Sequence, residues 1–149
     1  DFCWRVWLAG YRVVYYPQAK IYHKVGFTIR RLDVSNINYH YYKNRITALL
    51  KNLEARNLPI FLIPHLIVST GVAAAFLLLK PKSSLVILRA ILWNLINVDR
   101  IFKKRKEVQE LRKVKDKKLF DKLLVPVDWH RFFADFKRVK EDLERPRQN

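Results

Sequence analysis

The chain has 149 residues, enough for one domain with one hydrophobic core. Half of these residues are hydrophobic, yet 30 Lys and Arg outnumber 13 Asp and Glu, which gives a formal net charge of +17. The single cysteine, Cys3, excludes an internal disulfide. A composition both this apolar and this basic favours two kinds of partner, nucleic acid through its phosphates or an anionic membrane surface.

The first segment, residues 1–34, carries helix and strand signals in turn. Asp1–Ala9 has a short helical pattern with Phe2, Val6 and Ala9 on one face, and Gly10 is expected to end that helix as a C-cap glycine. Arg12–Tyr16 is rich in β-branched and aromatic residues, and Ala19–His23 is a second extended stretch. One helix followed by two strands predicts the edge of an α/β domain, so the fold class expected for the whole chain is α+β, mostly α.

The second segment, residues 35–98, is mostly apolar and predicts helices. The first should begin at Ser35 or Asn36, either of which can act as an N-cap, and run to about Arg56. Its expected buried face has residues spaced three and four apart. These are Tyr39, Tyr42, Ile46, Leu49, Leu50 and Leu53.

Two apolar stretches follow, and their length suggests contact with a membrane. Leu58–Leu79 has 22 residues without Asp, Glu, Lys or Arg. As a helix it would reach about 33 Å, against a hydrocarbon core of about 30 Å, although Pro59 and Pro64 could end it early. Ser83–Val98 predicts a second apolar helix with Arg89 in its middle, where a spanning arrangement would cost about 2.5–3.5 kcal/mol.

The direction of any membrane crossing stays open. Basic residues lie on both sides of the apolar stretches, so the positive-inside rule predicts no simple single pass. A helical hairpin and a monotopic arrangement in one leaflet both satisfy the pattern. We expect the monotopic or re-entrant form, because Arg89 could then extend its charged end to the interface.

The third segment, residues 99–149, is a basic tail that ends in an amphipathic helix. Arg100–Lys118 holds ten Lys or Arg and three acids, and Asp128 can cap a last helix with an aromatic stripe flanked by basic residues. The candidate membrane-contact residues of the whole chain are aromatic: Phe61, Phe76, Trp93, Trp129, Phe132 and Phe133.

Residues 1–24 read DFCWRVWLAGYRVVYYPQAKIYHK. This stretch resembles the end of the catalytic domain of family 2 glycosyltransferases of the rhamnosyltransferase-like branch, where the usual pattern is close to E-D-x-D-[LF]-C-x-R-x-x-x-x-G-[YW]-x-[VI]-x-Y-x-P-x-A-x-[VI]-x-H. Tyr41–Asn52 is similar to the family's Y-Y-x-x-R-N…L-L-K-N helix, with Asn44 and Arg45 in exchanged order. Arg100–Leu124 is similar to its basic tail, which is the least specific part of the likeness.

The resemblance implies a GT-A type enzyme that moves a sugar from a nucleotide sugar to an acceptor hydroxyl. In such enzymes a divalent metal, Mg²⁺ or Mn²⁺, neutralises the departing diphosphate, and a carboxylate acts as general base. Asp1 matches the last acid of the pattern and is a supporting residue, while the presumed base falls upstream of the chain. His23 matches a metal ligand found in some members, and Trp4, Arg5 and Lys24 are candidate substrate-binding residues.

Each of these residues also has a plain structural interpretation. His23 could simply end a strand, and Asp1 could be an acid that interacts favourably with a helix N-terminus. Trp4 could be part of the core, and Arg5 could form an ion pair. Because the nucleotide-binding half is missing from the pattern and the chain contains no methionine, we expect an inactive fragment of a larger enzyme.

The predicted function is therefore the C-terminal part of a glycosyltransferase on the cytoplasmic face of a membrane, with a lipid-linked saccharide or surface glycan as acceptor. Residues 1–34 would complete the catalytic domain, 35–98 would form the connecting and membrane-associated helices, and 99–149 the basic tail. Two alternatives stay open, a nucleic-acid-binding module and a membrane-anchored scaffold without chemistry. Nucleic acid is not the expected partner, because the sequence has no zinc-finger spacing, RNA-recognition motif or G-x-x-G loop.

Overall fold

The computed structural model describes residues 1–22, 34–124, 126, 128, 130, 131 and 134, with the backbone alone at 34–36, 79 and 123. Regular structure in these residues is helical, and no strand occurs among them. The helices are α1 (Phe2–Leu8), α2 (Val34–Asn52), a 3₁₀ turn (Ala55–Asn57), α3 (Leu58–Leu79), α4 (Pro81–Ile96), α5 (Val98–Glu110) and α6 (Asp116–Leu123).

The predicted α+β class, with two strands at the edge of a GT-A α/β domain, is therefore wrong. Arg12–Tyr16 has no regular secondary structure, and neither do residues 19–22 of the second predicted strand. Their β-branched and aromatic side chains are exposed, with Tyr22 at 95%. A strand needs a neighbour to take its backbone hydrogen bonds, and the described residues offer none.

The prediction that Gly10 ends the first helix is confirmed. Gly10 has φ of +87°, and its N–H donates to the Trp7 carbonyl over 3.0 Å. The N–H of Tyr11 donates to the Val6 carbonyl over 3.1 Å, which completes a Schellman motif at the end of α1. The expected face of Phe2, Val6 and Ala9 is not the packed one, because Phe2 is exposed and Leu8 is fully buried.

Helices α2, α3 and α4 pack together, and the contact between α2 and α4 is the most extensive. The buried face of α4 repeats every three or four residues and is made mostly of small side chains, which allow close approach. Its members are Ser84, Ile87, Ala90 and Asn94. The predicted core positions Ile46 on α2 and Leu53, directly after α2, are buried, as expected from their spacing.

The long apolar helix α3 is not shortened by its prolines. Pro59 lies in the first turn, where a missing N–H leaves no hydrogen bond unmade, and Pro64 lies inside a helix that continues to Leu79. Only Lys80 separates α3 from α4, which begins at Pro81 and not at Ser83 as predicted. The two apolar helices therefore form a tight pair.

A second cluster of core residues joins α1 to α5 and α6. Leu8, Val108 and Leu119 are buried together, with Trp4 and Trp7 packed against them. The connection is also polar, because the carbonyl of Leu8 accepts the N–H groups of Lys113 and Val114 over 2.7 and 3.1 Å. The N-terminal helix and the basic tail, which the sequence assigns to different segments, are thus in direct contact.

Candidate functional site

The carboxylate of Asp1 lies at the contact between α1 and the C-terminal end of α2. One oxygen accepts the side-chain amide N–H of Asn52 over 2.9 Å, and the other accepts the ammonium of Lys51, also over 2.9 Å. The Nε of Arg5, one turn along α1, lies 3.3 Å from the same oxygen as Lys51. Asp1 therefore accepts two hydrogen bonds, from Lys51 and Asn52, and forms an ion pair with Arg5.

This arrangement brings together two of the predicted site residues, Asp1 and Arg5, as an ion pair. Lys51 completes the group, and burial, followed by the nearby charge of Arg5, lowers the pKa of its ammonium. These contacts hold α1 against α2. They support a structural role for Asp1 and Arg5, in addition to the functional role that the resemblance implies.

Three side chains of α5 and its C-terminal extension cap the end of α2. Arg105 donates to the carbonyl of Leu50, Gln109 to that of Lys51 over 3.0 Å, and Arg112 to that of Asn52. The last four carbonyls of a helix have no partner within the helix, so these donors satisfy groups that burial would otherwise leave unpaired. The spacing of four residues places Arg105 and Gln109 on one face of α5, and Arg112 follows two residues after the helix ends.

Asp116 and Glu54 form a reciprocal pair beside this cap. The Asp116 carboxylate accepts the backbone N–H of Glu54 over 2.6 Å and the side-chain amide of Asn57 over 2.8 Å, while the Glu54 carboxylate accepts the backbone N–H of Asp116 over 2.9 Å. Arg112 donates to the second oxygen of Asp116 over 2.8 Å. Asp116 is 0% exposed, so these donors replace the hydrogen bonds that its carboxylate would make to water.

Trp4 packs against the core cluster and also lines an apolar cavity of about 210 Å³. The other lining residues come from α2, α3, α6 and the residue after α6: Leu49, Leu53, Phe61, Leu119, Phe120 and Leu124. The cavity has no polar lining, so Trp4 has the surroundings of a core residue.

The other predicted residues of the catalytic site, His23 and Lys24, lie outside the described residues. Among the residues that are described, no group of three or more His, Cys, Asp or Glu side chains could hold a metal ion. Asp1 is surrounded by cationic and amide donors, which is not the donor set of a metal site. No catalytic step through a metal follows from these residues.

The surface of α3 and α4 is apolar and largely uncovered. Within the described residues, one helical stretch, Ala55–Leu78, is long and apolar enough to cross a membrane, and 11% of its most apolar 18-residue window is buried. A core helix of a soluble protein would be mostly buried. We refer to the exposed aliphatic side chains of this pair as the apolar surface: Ile60, Ile63, Ile67, Val68, Leu77, Leu78, Leu85, Leu88, Leu92, Leu95 and Ile96.

The predicted aromatic membrane contacts are placed differently from these aliphatic residues. Phe61 faces inward, with its ring centroid 4.9 Å from that of Phe120. Phe76 and Trp93 are half-buried. Trp129, Phe132 and Phe133 lie outside the described residues, but the Asp128 carboxylate accepts the backbone N–H of Arg131 over 3.0 Å, as expected of a helix cap.

Sequence reasoning missed the contacts between the basic tail and α2. It assigned Arg105 and Arg112 to the basic tail without a partner, whereas both donate to the end of α2. A signal was present, because Arg105 and Gln109 lie four residues apart on one face of α5, but the target of these donors lies more than fifty residues earlier in the chain.

Comparisons of the chain with protein-family models, with curated proteins and with solved structures gave no match.

Proposed function

We propose that this chain is the C-terminal part of a membrane-associated glycosyltransferase and that its helices attach the catalytic part to the cytoplasmic face of the membrane. The enzyme would transfer a sugar from a nucleotide sugar to a lipid-linked saccharide or a surface glycan. One observation carries the proposal. Residues 1–24, which resemble the family, begin with helix α1, and α1 packs on the same group of helices that exposes the apolar surface.

The apolar surface supports membrane attachment on energetic grounds. Its side chains on α3 and α4 are more than 40% exposed, and large exposed apolar surfaces on a protein mark sites of interaction with partners or membranes. Each fully buried aliphatic side chain gains about 1.5–3 kcal/mol, so a few of them inserted in lipid supply enough free energy for stable attachment.

A monotopic or re-entrant arrangement fits these helices better than a simple crossing. Arg89 is exposed on α4, in the same helix as the apolar residues Leu88 and Leu92. In one leaflet its guanidinium could reach the headgroups, which would avoid the cost of a charge at the centre of the bilayer.

The contacts of α1 suggest how attachment would serve catalysis. Asp1 bonds to Lys51 and Asn52, and the Leu8 carbonyl is held by Lys113 and Val114. The start of α1 is therefore fixed to α2, and its end to the segment between α5 and α6. A catalytic part joined to α1 would be held in one orientation toward an acceptor in the membrane.

A nucleic-acid-binding module remains the alternative, and one observation favours it. Exposed lysines, Lys113, Lys115, Lys117 and Lys118, surround a shallow cavity of about 410 Å³. Vesicle and DNA binding distinguish the two ideas. Salt-dependent DNA binding without any preference for anionic vesicles would favour the nucleic-acid module.

The enzyme itself is tested by sugar transfer in native membranes that contain the intact protein. A panel of nucleotide sugars is assayed with Mg²⁺ or Mn²⁺, comparing wild type, His23→Ala and the control His40→Ala, which changes an exposed histidine of α2. We expect transfer by wild type and His40→Ala, and its loss in His23→Ala at unchanged protein level. Transfer that survives in His23→Ala removes this residue from the site, and no transfer by any protein with any donor contradicts the proposed function.

A further inference from the structure

A basic cleft lies where the apolar helix α4 meets the basic helix α5. Its volume is about 300 Å³, and it opens to solvent between α2 and the α4–α5 junction. The residues that line it are Lys43, Asn44, Thr47, Trp93, Arg100, Ile101 and Lys104.

The three cations of this cleft have no acidic partner among the described residues. The ion pairs among the described residues involve other basic residues, those at positions 5, 51, 56 and 112. The ammonium of Lys43 instead lies 4.7 Å from the ring centroid of Trp93 and 5.4 Å from that of Tyr39. Lys43, Arg100 and Lys104 line one cavity, so an anion bound there would be attracted by all three.

The contact between α2 and α4 beside the cleft is held by hydrogen bonds. The Thr47 hydroxyl donates to the side-chain oxygen of Asn94 over 2.7 Å, and the amide nitrogen of Asn94 donates to the carbonyls of Lys43 and Ala90 over 3.2 and 2.9 Å. Asn94 is 3% exposed. These bonds hold the backbone of Lys43 against the turn of α4 that carries Trp93, which reduces the rearrangement needed for binding.

The position of the cleft along the helices indicates the depth at which it would lie. Trp93 is in the last turn of α4, where Leu92, Leu95 and Ile96 are exposed. Arg100 follows within the first turn of α5. Tryptophan beside aliphatic residues, followed at once by cations, is typical of the boundary between acyl chains and headgroups.

We propose that this basic cleft binds the phosphate of an anionic membrane phospholipid. The proposal rests on the membrane attachment proposed above and names the lipid chemistry recognised there. Arg100, Lys104 and Lys43 would surround the phosphate, and the Asn44 amide, exposed at the rim, can donate to it as well. A phospholipid offers an anion and an adjoining acyl chain, which match the cations and the neighbouring apolar surface respectively. Soluble phosphate matches the cations alone.

The test uses the intact protein in neutral detergent, titrated with short-chain phosphatidylglycerol or phosphatidylcholine. Native mass spectrometry measures the fraction of protein that retains a lipid. The cleft variant is Arg100→Gln/Lys104→Gln. The control, Lys103→Gln/Lys106→Gln, removes the same charge from exposed positions of the same helix outside the cleft.

We expect one retained phosphatidylglycerol per chain and no retained phosphatidylcholine. The cleft variant should bind phosphatidylglycerol roughly 30-fold more weakly, from two lost cation contacts, while the control changes it by less than about two-fold. An equal loss in both variants would overturn the proposal in favour of diffuse surface charge. Full displacement of the lipid by inorganic phosphate alone would assign the cleft to a soluble phosphate.

Vesicle binding separates this proposal from the proposed function. If wild type binds phosphatidylglycerol and phosphatidylcholine vesicles equally well, the protein still attaches to membranes. Its cleft then does not select anionic lipid, and the inference fails. Wild type that binds neither kind of vesicle contradicts the membrane attachment itself.

Discussion

Replacing Arg112 with methionine removes the guanidinium at the centre of the polar contacts between α2, the 3₁₀ turn and α6. Arg112 donates to Asp116 over 2.8 Å, to the side-chain oxygen of Gln109 over 2.8 Å and to the carbonyl of Val114 over 3.1 Å, besides its bond to the Asn52 carbonyl. Methionine keeps much of the apolar stem, so the change tests the charged end.

The expected loss follows from the burial of the partner. The Asp116 side chain is 0% exposed and that of Arg112 is 10% exposed, so water cannot replace the lost donor at Asp116. Removing one member of a buried pair costs about 3–5 kcal/mol. Asp116 keeps the N–H of Glu54 and the amide of Asn57, so we expect a loss near the lower end, about 3 kcal/mol.

Unfolding by guanidinium chloride in neutral detergent, followed by tryptophan fluorescence, measures the change. Lys117→Met is the matched control, because Lys117 is an exposed cation of the neighbouring helix, and its effect should lie within about 0.5 kcal/mol. Arg112→Met/Asp116→Asn closes a double-mutant cycle, and we expect it to cost less than the two single changes together, because no charge is left buried alone. A loss below about 1 kcal/mol in Arg112→Met, or one equal to that of the control, would refute the reasoning.

Three further outcomes can be measured on the same protein. Gly10→Ala should lower the free energy of unfolding by about 1–2 kcal/mol, because alanine disfavours φ of +87°. Gly71→Ala, in an open helical position, should leave the free energy of unfolding unchanged or raise it by up to about 1 kcal/mol. Equal effects of the two changes would contradict the role of Gly10 in the cap. Asp1→Asn should cost about 0.2–1 kcal/mol in the same unfolding assay, since the carboxylate is partly exposed and its bond to Asn52 can persist; a loss of several kcal/mol would show that the ion pairs matter far more. Ile67→Asp should weaken vesicle partition by about 3 kcal/mol without destabilising the fold, since Ile67 is 65% exposed; unchanged partition measured by co-sedimentation would remove Ile67 from the membrane contact.

The helices could be predicted where periodicity and caps are strong. The stop at Gly10, the buried positions Ile46 and Leu53 and the length of Leu58–Leu79 all follow from local pattern and from residue types whose backbone preferences are sharp. The continuation of α3 through Pro64 could not be predicted from local preference, because a helix within a packed group can tolerate one missing hydrogen bond.

The strands failed for a different reason. Strand preference in Arg12–Tyr16 reflects β-branched and aromatic side chains, but a strand forms only with a neighbour, and that neighbour is not a local property. The partners of Arg105 and Arg112 were equally hidden, since the sequence shows their charge but not the helix end that they reach. The composition of the candidate site, apolar helices beside basic residues, could therefore be predicted from the sequence. The contacts within the site could not.

The cap on α2 has a consequence for the order in which the chain folds. Its acceptors, the carbonyls of residues 50–52, and its donors at 105, 109 and 112 lie on opposite sides of α3 and α4 in the sequence. During synthesis the end of α2 therefore lacks these donors until α3, α4 and α5 have all been made. The cap can form only after both apolar helices are complete.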